Sequence, residues 1–213
     1  MILDLIYPPV CGICNKICKE YLCSQCEERI KKYEINKIED YTQKQGKKFD
    51  YLIKLYKYDG IIRKSIIDYK FNDKSYLADT FEKMITKNEK IYGFLKKYDI
   101  ILSVPLYKKN ARQRGYNQSE LISRKIAKTT GIVLERNNLI KARETQKQST
   151  LNKIEREKNV KNAFQVKNGD KIKNRKIILF DDIYTTGSTA NECSKILKEE
   201  GAKEIAVMTL AID

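Results

Sequence analysis

Short apolar runs alternate with segments of helical periodicity along most of this chain. The clearest run is residues 177–180, "IILF", which is brief, apolar and partly β-branched, as a strand buried on both faces of a parallel sheet requires. Residues 51–59, "YLIKLYKYD", alternate well enough for another strand, and 98–106, "YDIILSVPL", and 204–212, "EIAVMTLAI", complete a set of four. Helical spacing falls between them: Ile62, Ile66, Ile67 and Phe71 within 61–71, a second helix over 76–86, and a third over 118–131 closed by Gly131. Beyond the strand at 177–180, Thr189 and Glu192 have the spacing of a capping box, and Ile196, Leu197 and Ala202 predict a helix ending near Gly201. Alternating strands and helices predict an α/β fold, a parallel sheet with helices on its faces. No internal repeat interrupts the pattern.

Length and composition bound what this fold can be. The 213 residues hold one ordinary α/β domain plus a small appendage, and 41% hydrophobic content is enough for a core. A formal charge of +15 favours polyanionic partners such as nucleic acid or phosphorylated ligands, although a base-composition bias towards Lys, Ile, Asn and Tyr would give the same sign. The chain has no histidine, which removes Ser-His and Cys-His catalysis, imidazole metal ligands and an imidazole base. No apolar run is long enough to cross a bilayer, and the opening "MILDLIYPPV" carries an acidic residue and two prolines where a signal peptide needs a basic start. A cytoplasmic protein without membrane insertion is expected.

In that reducing compartment clustered cysteines read as metal ligands rather than disulfides. The stretch "CGICNKICKEYLCSQC" places Cys11 with Cys14 and Cys23 with Cys26, two C-x-x-C pairs separated by eight residues. Four thiolates suit tetrahedral zinc and leave no open coordination position, so a zinc here is structural; a redox dithiol or simply buried thiols are the competing readings. Cys18 lies between the pairs and is surplus, a free thiol or a replacement ligand for one of its neighbours. The charged segment that follows reads as one helix and then a polar linker with Gly46 near its end, which divides the chain into residues 1–46 and 47–213.

Ligands of parallel sheets bind beyond the carboxyl ends of the strands, which singles out two loops. The first, "VPLYKKNARQRGYNQ" at 104–118, carries Lys108, Lys109, Arg112 and Arg114. The second, "DDIYTTGSTA" at 181–190, opens on two carboxylates and continues with Thr185, Thr186, Gly187, Ser188 and Thr189 at the start of a helix, a ready anion site. Asp181 and Asp182 would repel an anion facing them; they suit ribose hydroxyls as acceptors, or Mg²⁺ through water. The loop lacks the Gly-Lys-Ser/Thr of a Walker motif, and the chain has no G-x-G-x-x-G fingerprint.

With its hydrophobic run, acidic pair and small hydroxyl residues, "ILFDDIYTTGSTA" resembles the phosphoribosyl diphosphate (PRPP) binding motif of the type I phosphoribosyltransferases. The paired cysteines, "RGYNQ", the spacing of Gln148, Leu151, Arg156 and Asn159, and the acidic loop resemble in that order the ComF family of competence-associated proteins, in its ComFC branch. The resemblance covers nearly the whole chain. It implies a type I phosphoribosyltransferase fold with an N-terminal four-cysteine zinc finger at Cys11, Cys14, Cys23 and Cys26. Carried over by position, Asp181 and Asp182 would hold the ribose hydroxyls, Thr185 to Thr189 the 5-phosphate, and Tyr107 and Lys108, after Pro105 and Leu106, the Mg²⁺-diphosphate. Arg112, Arg114 and Tyr116 would line the same cleft or a DNA-binding groove, and residues 141–149 match a mobile hood. The implied role is DNA uptake in natural transformation, with single-stranded DNA, PRPP and a ComFA-like helicase ATPase as partners. Whether the site also transfers ribose 5-phosphate to an acceptor is left open by the resemblance.

Overall fold

The structure is a computed structural model that describes residues 8–146 and 151–213. Its centre is a six-stranded sheet in the order β1-β2-β8-β7-β3-β4. The strands are β1 (Glu34–Asp40), β2 (Tyr51–Lys57), β3 (Ile100–Ser103), β4 (Val133–Leu134), β7 (Lys176–Tyr184) and β8 (Glu204–Ile212). From β2 to β4 every pairing is parallel, and β1 is antiparallel to β2. The protein is therefore a mixed α/β fold with a mostly parallel sheet, as the alternation of elements predicts.

β7 is buried on both faces because its apolar side chains alternate into two cores. Ile178 and Phe180 join one core with α1 (Ser24–Lys31), α2 (Gly60–Phe71), α3 (Leu77–Thr86), α4 (Glu89–Leu95) and α6 (Gln118–Thr130). Ile177 and Leu179 face the other, built on α8 (Ser188–Glu199) and a hairpin of β5 (Leu139–Lys141) with β6 (Phe164–Val166). Two further helices, α5 (Lys108–Arg114) and α7 (Lys153–Val160), flank the carboxyl ends of the strands.

Three local readings are corrected. The charged segment expected to be a linker contains β1, which pairs Lys37 with Lys54 and Asp40 with Tyr51 and so extends the sheet across residue 46. The basic loop after β3 contains the helix α5, with none of its residues buried. The capping box at Thr189 and Glu192 does not form: the N-cap of α8 is Gly187, two residues earlier, and Glu192 Oε1 accepts from the Asn162 amide at 2.7 Å.

The cysteine knuckles sit on the main core rather than apart from it. Cys11, Leu22, Cys26 and Ile30 are buried in the same cluster as Leu77 and Phe81 of α3. Gly12 makes this approach close, since a Cβ there would lie 2.3 Å from Thr80 Oγ1 and 2.7 Å from Leu77 Cδ2. Thr80 Oγ1 donates to Tyr21 O at 2.8 Å, and Lys87 pairs with Glu20 and Glu27 at 3.3 and 2.9 Å. No helix among the described residues is long and apolar enough to cross a membrane.

Candidate functional site

β3 and β7 are neighbours whose onward connections leave in opposite directions. The chain leaves β3 for α6 on one face, and β7 for α8 on the other. This divergence opens a crevice at the carboxyl end of the sheet, where ligands of α/β proteins bind. Phe180 is the last residue of β7 paired with β3, opposite Ser103, so Asp181 and Asp182 project past the end of the shorter strand. A cleft of about 1360 Å³ lies over them.

The two carboxylates are held differently. Lys70 Nζ, from α2, sits 2.8 Å from both Asp182 oxygens, with both side chains mostly shielded from solvent. Asp181 accepts from the Asp182 amide at 2.9 Å. Burial, together with the neighbouring Asp182 charge, pushes the Asp181 carboxyl up to about 7. Near neutral pH the pair thus carries a proton that a hydroxyl-bearing or cationic ligand would displace.

The hydroxyl loop sits at the N-terminus of α8. Gly187 takes φ +77°, and an added Cβ would stand 2.2 Å from Tyr184 Oη, so both conformation and space demand glycine. Thr186 Oγ1 and Ser188 Oγ are 2.7 Å apart, and Thr185 Oγ1 accepts from Arg156 Nη1 at 2.8 Å. Orphan amides of the first helical turn, hydroxyls and a guanidinium converge here, an arrangement that suits a phosphate. Gly187→Ala should lower stability by about 1–3 kcal/mol, through left-handed strain and displacement of Tyr184. A thermal melt checks this, and an unchanged midpoint would show that the loop adapts freely.

Asp181, Asp182, Thr185, Gly187, Ser188 and Thr189 line the cleft together, as does Arg114. Thr186 turns to a smaller neighbouring depression, and Tyr107, Lys108 and Arg112 are not among the cleft's lining residues; Lys109, Asn110 and Gln113 of α5 occupy that wall instead. Tyr116 lines the cleft, but its hydroxyl donates to Tyr69 O at 2.7 Å and its ring packs on Tyr69 at 5.8 Å. Most of "RGYNQ" is architecture: Gly115 ends α5, and Asn117 caps α6 by accepting from the Ser119 amide while donating to Val104 O.

Several lining residues escape any reading of local pattern. Lys70 and Ser119 come from helices predicted only as core, whereas Lys141, the first residue of the expected hood, is the last residue of β5, where burial lowers its ammonium pKa and Thr145 Oγ1 accepts from it at 2.6 Å. Arg156 belongs to the quoted spacing motif, and Asn159 of the same motif exchanges hydrogen bonds of 3.0 Å with the Gln146 backbone. That pair of bonds ties residue 146 of the expected hood to α7. Gln148 and the end of the hood, residues 147–149, lie outside the described residues.

The second site is the cysteine cluster. The Cys11, Cys14, Cys23 and Cys26 sulfurs lie within 4.8 Å of one another. Cys14 and Cys23 are 3.7 Å apart, close to the ~3.8 Å edge of a tetrahedron with ~2.3 Å zinc–sulfur bonds, so the four fit a metal such as zinc. Burial raises the Cys11 thiol, but hydrogen bonds from the Cys23, Cys14 and Ile13 backbone outweigh it and bring it down to about 7. Cys18 stands outside the cluster.

Fold and sites together define a mixed α/β protein with a cleft at the carboxyl end of its sheet and, docked on its core, a cluster of four cysteines that could hold a metal. No protein-family model matches the sequence. The chain is similar to "Competence protein F" of Haemophilus influenzae, with 30% identity over 210 residues and 92% of each chain covered. It is 31% identical to "Competence protein ComFC" of Streptococcus pneumoniae over 73% of this chain and 66% of that one. Over about half of each length it is 32% identical to "DNA utilization protein YhgH" of Escherichia coli K12. The chain belongs to the ComF family.

Proposed function

We propose that this protein is a cytoplasmic DNA-uptake factor of the ComFC kind, with a type I phosphoribosyltransferase fold that binds Mg²⁺-PRPP and handles incoming single-stranded DNA. The observation that carries the PRPP reading is the acidic pair at the end of β7, followed directly by the hydroxyl loop on the α8 N-terminus. Asp181 and Asp182 would accept from the ribose hydroxyls, the loop from Thr185 to Thr189 would take the 5-phosphate, and the α5 side of the cleft would receive the diphosphate with its Mg²⁺. The names of the relatives support the DNA role, as does the charge of +15. The cysteine cluster would hold structural Zn²⁺, and a helicase ATPase like ComFA is the proposed partner.

Calorimetric titration of the purified protein with Mg²⁺-PRPP, with and without an oligo-dT strand, tests the reading. Saturable heat from PRPP that alters strand affinity is expected; absence of heat in both conditions would leave the acidic loop as scaffold. Strand binding should weaken by about 0.7 log units per phosphate contact for each tenfold rise in salt, and a flat salt profile would sink phosphate tracking.

A second reading is transfer of ribose 5-phosphate to an acceptor. It is favoured by the cleft's volume of about 1360 Å³, beyond the ~300–1,000 Å³ of an ordinary single-ligand pocket. Diphosphate release would then depend on an added acceptor, with positioning and electrostatics supplying catalysis in a chain that lacks histidine.

A further inference from the structure

The wall of the cleft carries an aromatic side chain that is not packed into the core. Phe71, the last residue of α2, is 64% exposed although it lines the cleft. Its predecessor Lys70 contacts Asp182 at 2.8 Å, and Phe71 lines the same cleft as the acidic pair. The Arg114 guanidinium lies over its ring, 5.1 Å from the centroid. Arg114 also donates to Gln118 Oε1 at 3.3 Å, which fixes that amide so that its nitrogen points the other way. That nitrogen is buried and has no hydrogen-bond partner, on a side chain only 2% exposed that also lines the cleft.

These features have one chemistry in common. An exposed ring backed by a cation offers a flat, polarised surface to another π-system, and an unsatisfied amide donor seeks a carbonyl or ring-nitrogen acceptor. A nucleobase supplies both. An aliphatic protein side chain would supply neither the π-face nor the acceptor. Tyr116, the aromatic residue singled out in the basic loop, already packs on Tyr69, so the open ring on this wall is that of Phe71.

We propose that Phe71, backed by Arg114, is a stacking platform for a nucleobase of single-stranded DNA at the mouth of the cleft. This rests on the strand-handling part of the proposed function and adds to it the residue that meets a base. A strand end lying across the mouth would place one base on the platform while its backbone runs along the cations of α5. Because every base has a π-face, the contact tolerates any sequence, as an uptake factor needs.

Fluorescence anisotropy with labelled oligo-dT, on the full-length protein, tests the platform. Losing one base stack costs ~1–3 kcal/mol, so Phe71→Ala should weaken strand binding about 5- to 150-fold, and Phe71→Trp should restore it. The salt slope should stay unchanged, because the ring touches no phosphate. An oligonucleotide of abasic sites, with the same phosphates and no bases, should bind wild type and Phe71→Ala equally. Thymidine monophosphate should compete only weakly, and competition as strong as the strand's would overturn the assignment to DNA in favour of a free nucleotide. Equal oligo-dT affinities for wild type and Phe71→Ala would overturn the platform alone. A wild-type protein that binds Mg²⁺-PRPP but no strand would overturn the platform together with the DNA role. Phe71 is surface-exposed, so circular dichroism should show both variants folded.

Discussion

The Asp181→Asn/Asp182→Asn protein should lose Mg²⁺-PRPP binding by at least about 100-fold while remaining folded, since each lost hydrogen bond to a charged acceptor costs ~1.5–3 kcal/mol. Calorimetry checks the loss, and undiminished binding would remove the acidic pair from the site. The pH dependence is sharper. Asp181 moves from an ordinary 3.8 to about 7 on folding, so between these values the folded state holds more protons than the unfolded one. The unliganded protein should therefore lose stability as pH rises through that window, and Asp181→Asn should be the more stable protein at pH 8 but not at pH 4. The difference at pH 8 should be on the order of 1–3 kcal/mol, reduced by the solvent that reaches the cleft. Ligand affinity should run the opposite way. Ribose hydroxyls need ionised acceptors, so binding should tighten from pH 6 to pH 8 and release a proton to the buffer. Affinity that is flat across this range would mean that Asp181 does not meet the ligand.

Removing metal from the cysteine site should have a comparably large effect on the fold. The purified protein should contain one zinc per chain, and cobalt substitution should give the spectrum of a tetrahedral thiolate site. Structural zinc contributes ~10–16 kcal/mol to the folding of small metal domains, and here Cys11 and Cys26 are buried in the core shared with α3. Chelation, or Cys11→Ser with Cys26→Ser, should lower the melting temperature by about 10 °C or more, at ~2–4 °C per kcal/mol for a chain of this size. Hydrogen exchange should rise in α1 and also along the face of α3 that packs on Gly12 and Leu22. A metal-free protein with an unchanged melting temperature would rule out structural zinc.

Both predictions draw on features legible in the amino-acid sequence: the acidic pair, the hydroxyl loop and the two C-x-x-C pairs are each short local patterns. Other parts of the cleft were not legible there. Lys70 reads as one more exposed cation on an amphipathic helix, and only the placement of α2 against β7 brings it to Asp182. Phe71 reads as the last apolar position of that helix's core face, yet the helix ends there and leaves the ring in solvent. Tyr116 reads as available for stacking because nothing in its own loop reveals Tyr69, 47 residues away.

The sequence by itself determined the α/β class, the strands buried on both faces, the four cysteines that cluster and the position of the acidic loop. These follow from periodicity, spacing and local backbone chemistry, which act over a handful of residues. Tertiary structure alone decided that residues 34–40, charged and half exposed, form an edge strand, because β2 offers them an unpaired row of backbone groups. It also decided that the knuckles dock on α3, and that α2, α5 and the β5–β6 hairpin close around one cleft. Such contacts join residues far apart in the chain, and packing complementarity between distant surfaces leaves no mark on the local pattern of either one.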